Sequence, residues 1–180
     1  WSFIFLVLRI HGFSTGFIKL ICCILQSSML SVLVNGSPIG FFKCSRGERK
    51  GDPLPDLLFS IVEDYLSICI SDLVHAGLYQ QMTFGRLLFA PSHLFYDDDI
   101  LLFGKADGCT IRYIKVDFEH YEVVSGLVIS WEKSSVFFGE GVISSKQNRF
   151  SRKFGVKRGS LHFNYLGVPL FWCADKRCYF

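Results

Sequence analysis

Three adjacent aspartates, Asp97, Asp98 and Asp99, stand between two short apolar runs in the stretch His93-Leu-Phe-Tyr96-Asp97-Asp98-Asp99-Ile100-Leu-Leu-Phe103. Both runs have the length and composition of paired strands, which puts the acids in the turn that joins them. Carboxylates held so close repel one another, so their protonation is coupled, and at least one pKa rises unless a cation offsets the charge. Magnesium and manganese take such hard oxygen ligands, and neighbouring carboxylates on a stiff turn present them side by side. The plainer alternative is a solvated acidic loop. Two apolar β-runs converging on the acids weigh against it, because a solvated loop has no need of them.

The rest of the chain supplies elements to carry this turn. Apolar residues dominate positions 2–10 and Gly12 is a natural stop; Ser14 then caps a helix over about 15–25, with Phe17, Leu20, Ile21 and Ile24 on one stripe. Asn35-Gly36 between β-prone runs is a strong hairpin signal, since both residues tolerate positive φ. A polar loop follows, holding Arg46, Arg49 and Lys50, and Asp52 caps a helix that starts at Pro53, where a missing N–H does no harm. That helix continues through Leu57, Leu58, Ile61, Val62, Tyr65 and Ile68 to about His75-Ala-Gly77. Beyond the aspartate hairpin the pattern predicts a helix over 107–124, β-prone segments at 127–130 and 134–138, and a short strand at 165–170. This order predicts an α+β domain, a mostly antiparallel sheet with helices packed on one face.

Composition narrows the class. Of 180 residues 50% are hydrophobic and 19 are Phe, more apolar surface than one small domain readily covers. No run approaches the 18–20 apolar residues of a membrane span: the most apolar stretch, residues 1–30, is broken by Arg9, His11 and Lys19. A net charge of +3 permits a nucleic-acid partner without demanding one. The seven cysteines (Cys22, Cys23, Cys44, Cys69, Cys109, Cys173, Cys178) form no Cys-x-x-Cys pair and read as buried thiols of a reducing compartment. The chain begins at Trp1 without an initiator Met, as a piece of a longer protein would.

Several segments together resemble the reverse transcriptase domain of plant non-LTR (LINE-type) retrotransposons. Tyr96-Asp97-Asp98-Asp99 resembles the family's Tyr-x-Asp-Asp turn, and Arg46-Gly-Glu-Arg-Lys50-Gly51-Asp52-Pro53-Leu54 its Arg-Gly-x-x-Gln-Gly-Asp-Pro-Leu motif. Ser125-Gly126-Leu127 with Lys133-Ser134 resembles a downstream motif whose lysine lies near the incoming nucleotide, and Tyr165-Leu166-Gly167-Val168-Pro169-Leu170 the segment that grips the primer end. The matches run in the family's order. They imply a palm-like fold with incomplete fingers and thumb, a partial palm over residues 1–140 and a truncated connection to the thumb over 141–180.

The resemblance also implies roles. Asp98 and Asp99 would be the catalytic carboxylates and hold Mg²⁺ or Mn²⁺ in a two-metal site, in which the ions activate the primer 3′-hydroxyl and stabilise the leaving oxygen. Arg46, Lys50, Gly51, Tyr96 and Lys133 would contact nucleotide or template, and Tyr165, Leu166 and Gly167 the primer. Partners would be an RNA template, a DNA primer and nucleoside triphosphates, with no membrane, in the nucleus or cytoplasm.

Departures from the pattern predict that these residues alone do not polymerise. The family's first aspartate motif would lie ahead of Trp1, and no Asp precedes Asp52. Asp97 occupies a place that is usually small or apolar, Lys50 stands for Gln, and Pro55-Asp56 stands for Ser-Pro. One rival is a non-catalytic nucleic-acid-binding relic of the same fold. Another is a different metal-dependent phosphotransfer domain, which needs a second acidic cluster; the nearest pair, Glu63 and Asp64, is expected to face solvent from its helix. Without fingers and thumb, apolar palm surface should lie exposed.

Overall fold

A computed structural model of the chain describes residues 1–43, 53–84, 88–139, 141–160, 163–166 and 168–170. Contacts divide the chain into two units, Trp1–Cys69 with Phe95–Ile100, and Ile70–Leu94 with Leu101–Phe180.

The first unit opens on α1 (Ser2–Ile10), which buries Phe3, Val7 and Leu8. The Ser14 hydroxyl accepts the Phe17 N–H at 3.2 Å and so starts α2 (Thr15–Ser27). α2 buries Ile18, Ile21 and Leu25, while Phe17, Leu20 and Ile24 are exposed, so the helix is rotated from the expected stripe, of which only Ile21 is buried. The reason lies in its composition: α2 is apolar nearly all round, and two stripes satisfy the same period. The strands β1 (Met29–Val34) and β2 (Ser37–Lys43) pair antiparallel across Asn35-Gly36, as that dipeptide predicts. Gly40, at φ 67°, is the extra residue where the register shifts, a bulge that a side chain would resist. The hairpin leaves Val32, Leu33, Ile39 and Phe41 exposed, in line with the expectation of uncovered apolar surface.

α3 (Pro53–His75) begins at the proline and ends where the sequence places its end. Leu58, Val62, Leu66 and Ile70 are buried along it, and Leu58 joins Leu8, Ile18, Ile21 and Leu25 in the core of the first unit. Each such side chain contributes roughly 1.5–3 kcal/mol by leaving water. Phe3 meets Tyr65 edge to face, with ring centroids 5.5 Å apart.

In the second unit β3 (Thr83–Phe84) pairs with β4 (Leu88–Phe89), and β5 (His93–Tyr96) with β6 (Asp99–Leu102); the tip of the latter hairpin belongs to the first unit. Tyr79 is buried, and its hydroxyl donates to the Ser92 carbonyl at 2.9 Å. Burial pushes the phenol well above its ordinary pKa. Gly104 lies against that ring so closely that a methyl there would collide with it. α4 (Gly108–Ser125) begins at Asp107, whose carboxylate accepts the N–H groups of Cys109 and Thr110 at 2.8 Å and the Thr110 hydroxyl at 2.7 Å. α4 ends at Ser125 with Gly126 as its left-handed cap, one residue past the expected 107–124, and buries Thr110, Ile111, Ile114, Phe118 and Tyr121.

After α4 the sequence expectation is corrected three times. Residues 127–130 form no strand: the Ile129 N–H goes to Glu122 Oε1 at 2.7 Å, and the chain then turns through 131–133. Then β7 (Ser135–Val136) and β8 (Lys157–Arg158) pair parallel on either side of α5 (Ser144–Phe154), a helix the sequence pattern did not suggest. Its only apolar residues, Phe150 and Phe154, join Phe118, Trp131 and Phe138 in a ring cluster with centroids 5.2–6.0 Å apart. β9 (Phe163–Tyr165) and β10 (Val168–Leu170) form a hairpin where one strand was expected.

The class is broadly α+β. The single sheet of the expectation is not found among the described residues, whose strands pair only in twos. Six of the ten strands run two or three residues, too short to offer a second edge for a further partner. No helix of the described residues is long and apolar enough to cross a membrane. Of the described cysteines, Cys22 and Cys69 are half-buried and Cys23 and Cys109 exposed, so none is the fully buried thiol expected.

Three variants test this packing. Burial raises the Asp107 carboxyl, but the hydrogen bonds from Thr110 and Cys109, with Lys146, outweigh it and hold its pKa below the ordinary 3.8. Its contribution is therefore complete above about pH 4 and lost as pH falls through the depressed folded pKa. Asp107→Ala should destabilise the chain by about 1–2 kcal/mol in urea at pH 7, with the difference shrinking below pH 4. Gly104→Ala should cost about 1–3 kcal/mol by overpacking against Tyr79, and Tyr79→Phe should lose only its hydrogen bond, about 1 kcal/mol.

Candidate active site

β5 and β6 are joined by the two-residue turn Asp97-Asp98, and Asp99 opens β6. The expectation of three acids in the turn is thus corrected by one residue. A two-residue hairpin turn needs left-handed backbone, and Asp97 supplies it at φ 50°. Aspartate enters that region more readily than most residues because its short polar side chain bonds locally. Asp97, unusual by resemblance, so has a conformational use here. Tyr96, Asp97, Asp98 and Asp99 are all exposed. Among the described residues no cation lies within ion-pair distance of the three carboxylates.

The residue that sequence reasoning misplaced is Glu63. α3 turns about 100° per residue, so with Leu58, Val62 and Leu66 buried, Glu63 falls at the margin of the buried face and Asp64 on the far side. Asp64 is exposed, with Oδ2 3.5 Å from His11 Nε2, whereas Glu63 is half-buried and does not face open solvent. Burial, then the charges of Asp97 and Asp98, push the Glu63 carboxyl up to about 7. The repulsion expected of the acidic turn is therefore felt across to α3. The four-residue spacing of Leu58, Val62 and Leu66 was legible, and it fixes the side of the helix on which Glu63 lies.

The exposed carboxylates of Asp97, Asp98 and Asp99 are the oxygen donors this tip presents. Among the described residues no group of three or more His, Cys, Asp or Glu side chains is placed to hold a metal. Two carboxylates suit a magnesium ion that keeps several waters and completes its shell with substrate phosphates, and fall short of an all-protein cage.

The other predicted site residues are distributed as follows. Arg46, Lys50, Gly51 and the Asp52 cap lie outside the described residues, as does Gly167. Tyr96, Asp98 and Asp99 belong to the first unit, and Lys133, Tyr165 and Leu166 to the second. Lys133 is exposed in the turn before β7, with its N–H on the Ser130 carbonyl at 3.1 Å. Tyr165 is half-buried at the end of β9, and Leu166 sits exposed in the hairpin turn at φ 52°, a conformation that a bulky side chain resists.

Glu63 gives a direct reading of the local field. Its folded pKa of about 7 lies above the ordinary 4.5, so the folded chain keeps a proton that the unfolded chain releases between those values. Stability due to this group therefore falls as pH rises through that window. Glu63→Gln should match the parent at about pH 4 and exceed its stability at about pH 8 by on the order of 1 kcal/mol, allowing for solvent screening of a partly exposed group. Asp97→Asn and Asp98→Asn should each bring the Glu63 pKa down in an NMR titration. No protein-family model matches the chain, so the reading of this site rests on its own residues.

Proposed function

We propose that the chain is a partial reverse transcriptase palm, whose reaction class is metal-dependent nucleotidyl transfer onto a primer 3′-hydroxyl under the direction of an RNA template. The observation that carries the reading is the β5–β6 tip, where Asp98 and Asp99 stand exposed and unpaired by any cation among the described residues, separated from Tyr96 only by Asp97. The ordered run of motif resemblances from Arg46 to Leu170 supports it.

In this reading Asp98 and Asp99 hold Mg²⁺ or Mn²⁺. The ion, when bound, supplies charge neutralisation on the transferred phosphoryl group and lowers the pKa of the attacking hydroxyl. The protein contributes a short turn whose backbone is already set, so the carboxylates need little reorganisation. Glu63, with its carboxyl pushed up to about 7, adds less than a full further charge to the tip near neutrality. By resemblance, Arg46, Lys50, Gly51, Tyr96 and Lys133 are assigned to nucleotide or template, and Tyr165, Leu166 and Gly167 to the primer.

We further propose that these 180 residues alone do not extend a primer, because two carboxylates leave a metal pair under-liganded, and loss of one essential member removes most of the rate. Primer extension on an RNA template with Mg²⁺ or Mn²⁺ should give no product. Mn²⁺ should nonetheless broaden the NMR signals of the β5–β6 tip, and Asp98→Asn with Asp99→Asn should abolish that effect. Robust incorporation removed by Asp98→Ala would overturn the inactivity, and a tip indifferent to Mn²⁺ would overturn the metal site.

A further inference from the structure

The densest positive charge in the chain lies in sequence well past the aspartate turn. Between residues 141 and 170 stand Lys146, Arg149, Arg152, Lys153, Lys157 and Arg158, with no aspartate or glutamate, in a chain of net charge +3. The remainder of the chain is therefore net acidic. α5 carries four of these cations, all exposed. Ser145, Arg149, Arg152 and Lys153 recur at helical spacing and line one shallow recess on its surface.

Of the four cations on α5, Lys146 acts on the Asp107 carboxylate. Arg149, Arg152 and Lys153 have no carboxylate within ion-pair distance among the described residues. Arg158, by contrast, donates to Asn148 Oδ1 at 3.1 Å and also to Gln147 Oε1. Lys115 pairs with Glu119 at 3.7 Å and donates to the Lys153 carbonyl at 3.2 Å. Like charges one turn apart destabilise a helix. Arg152 and Lys153 recover part of that at the negative end of α5, where the last carbonyls lie, but Lys146 and Arg149 do not.

A basic amphipathic helix fits either a phosphodiester backbone or an anionic bilayer, and the bilayer mode needs a free apolar face to insert. In α5 that face is Phe150 and Phe154, and both rings are engaged: Phe150 lies edge to face with Phe138 at 5.3 Å, and Phe154 meets Trp131 at 5.8 Å. What α5 leaves for a partner is charge alone. We propose that Arg149, Arg152 and Lys153 bind the phosphates of a nucleic-acid duplex, contacting backbone and not base edges. This rests on the polymerase reading for its class of partner, adds a surface for that partner on α5, and needs neither metal nor turnover.

The test is fluorescence anisotropy of a labelled RNA–DNA hybrid duplex with the full chain, in chelator, over a salt series. The parent should show log affinity falling linearly with log salt. Arg149→Gln/Arg152→Gln/Lys153→Gln should flatten that slope by about 2–3 and weaken binding at least about tenfold near 100 mM salt. Arg149→Lys/Arg152→Lys should keep the slope, and circular dichroism should show both variants folded. Asp98→Asn/Asp99→Asn should bind as the parent does, so that failure of the metal site and failure of this surface are read separately. Equal affinity and slope in parent and Gln variant would overturn the proposal. So would capture by phosphatidylserine vesicles that depends on the three cations in the absence of duplex binding.

Discussion

Burial of Leu58, Val62 and Leu66 on one face of α3 is the constraint on which the first unit depends. Each is one helical turn from the next, and Leu58 is shared with the core made by α1 and α2. Three apolar side chains at roughly 1.5–3 kcal/mol each outweigh any preference of the polar residues between them. Those polar residues take the positions left over. Asp64 falls opposite the buried stripe and remains in water. Glu63 falls at its margin, where it loses part of its hydration and meets the field of Asp97 and Asp98. A proton held near neutrality on α3 is thus the electrostatic consequence of a hydrophobic choice made elsewhere on the same helix.

The aspartate tip expresses a second competition, between backbone and charge. A two-residue turn between β5 and β6 demands left-handed geometry, and Asn or Asp meets that demand nearly as well as Gly. Asn at position 97 would give the same backbone without the charge. Aspartate gives the backbone and adds a third carboxylate to a crowded tip. The tip keeps its strands because the cost is spread: the three carboxylates reach water, and Glu63 relieves repulsion by holding its proton. The counter-charge that the tip lacks among the described residues would have to come from outside it.

Much of the local structure was legible because the determinants are themselves local. Ser14, Pro53, Asp107 and Gly126 mark helix ends through the orphan N–H and C=O groups they satisfy or excuse, and Asn35-Gly36 marks its hairpin through φ. The errors arose where a tertiary partner decided. On α2 two apolar stripes were available, and only the neighbours Leu8 and Leu58 choose between them. At 127–130 the β-branched run would pair if an edge were near, but the Ile129 N–H finds Glu122 instead. α5 has two apolar residues in eleven, too thin a period to read, and is held by rings that come from Phe118, Trp131 and Phe138. For the site, the two aspartates were legible by type and neighbourhood, whereas Glu63 was not. Its role follows from which side of α3 is buried, a property of the core and not of the acidic residues.

Each unit therefore keeps a set of like charges that its own fold does not neutralise, carboxylates at the β5–β6 tip in one and guanidinium and ammonium groups on α5 in the other. Exposed ion pairs contribute little to stability, so pairing these groups internally would gain the fold little. Leaving them unpaired has a different thermodynamic effect. A ligand of opposite charge that binds only the folded state relieves the self-repulsion and stabilises that state in proportion to its concentration over its dissociation constant. On the proposed readings, divalent cations would act so on the carboxylates and phosphodiesters on α5. Salt screens both within about 10 Å at 0.1 M, but it displaces the two ligands differently. A polyanion is lost steeply, with one released counterion per contact, and a chelated divalent ion far less so. Salt dependence thus separates the two surfaces physically, even where both serve the same nucleic acid.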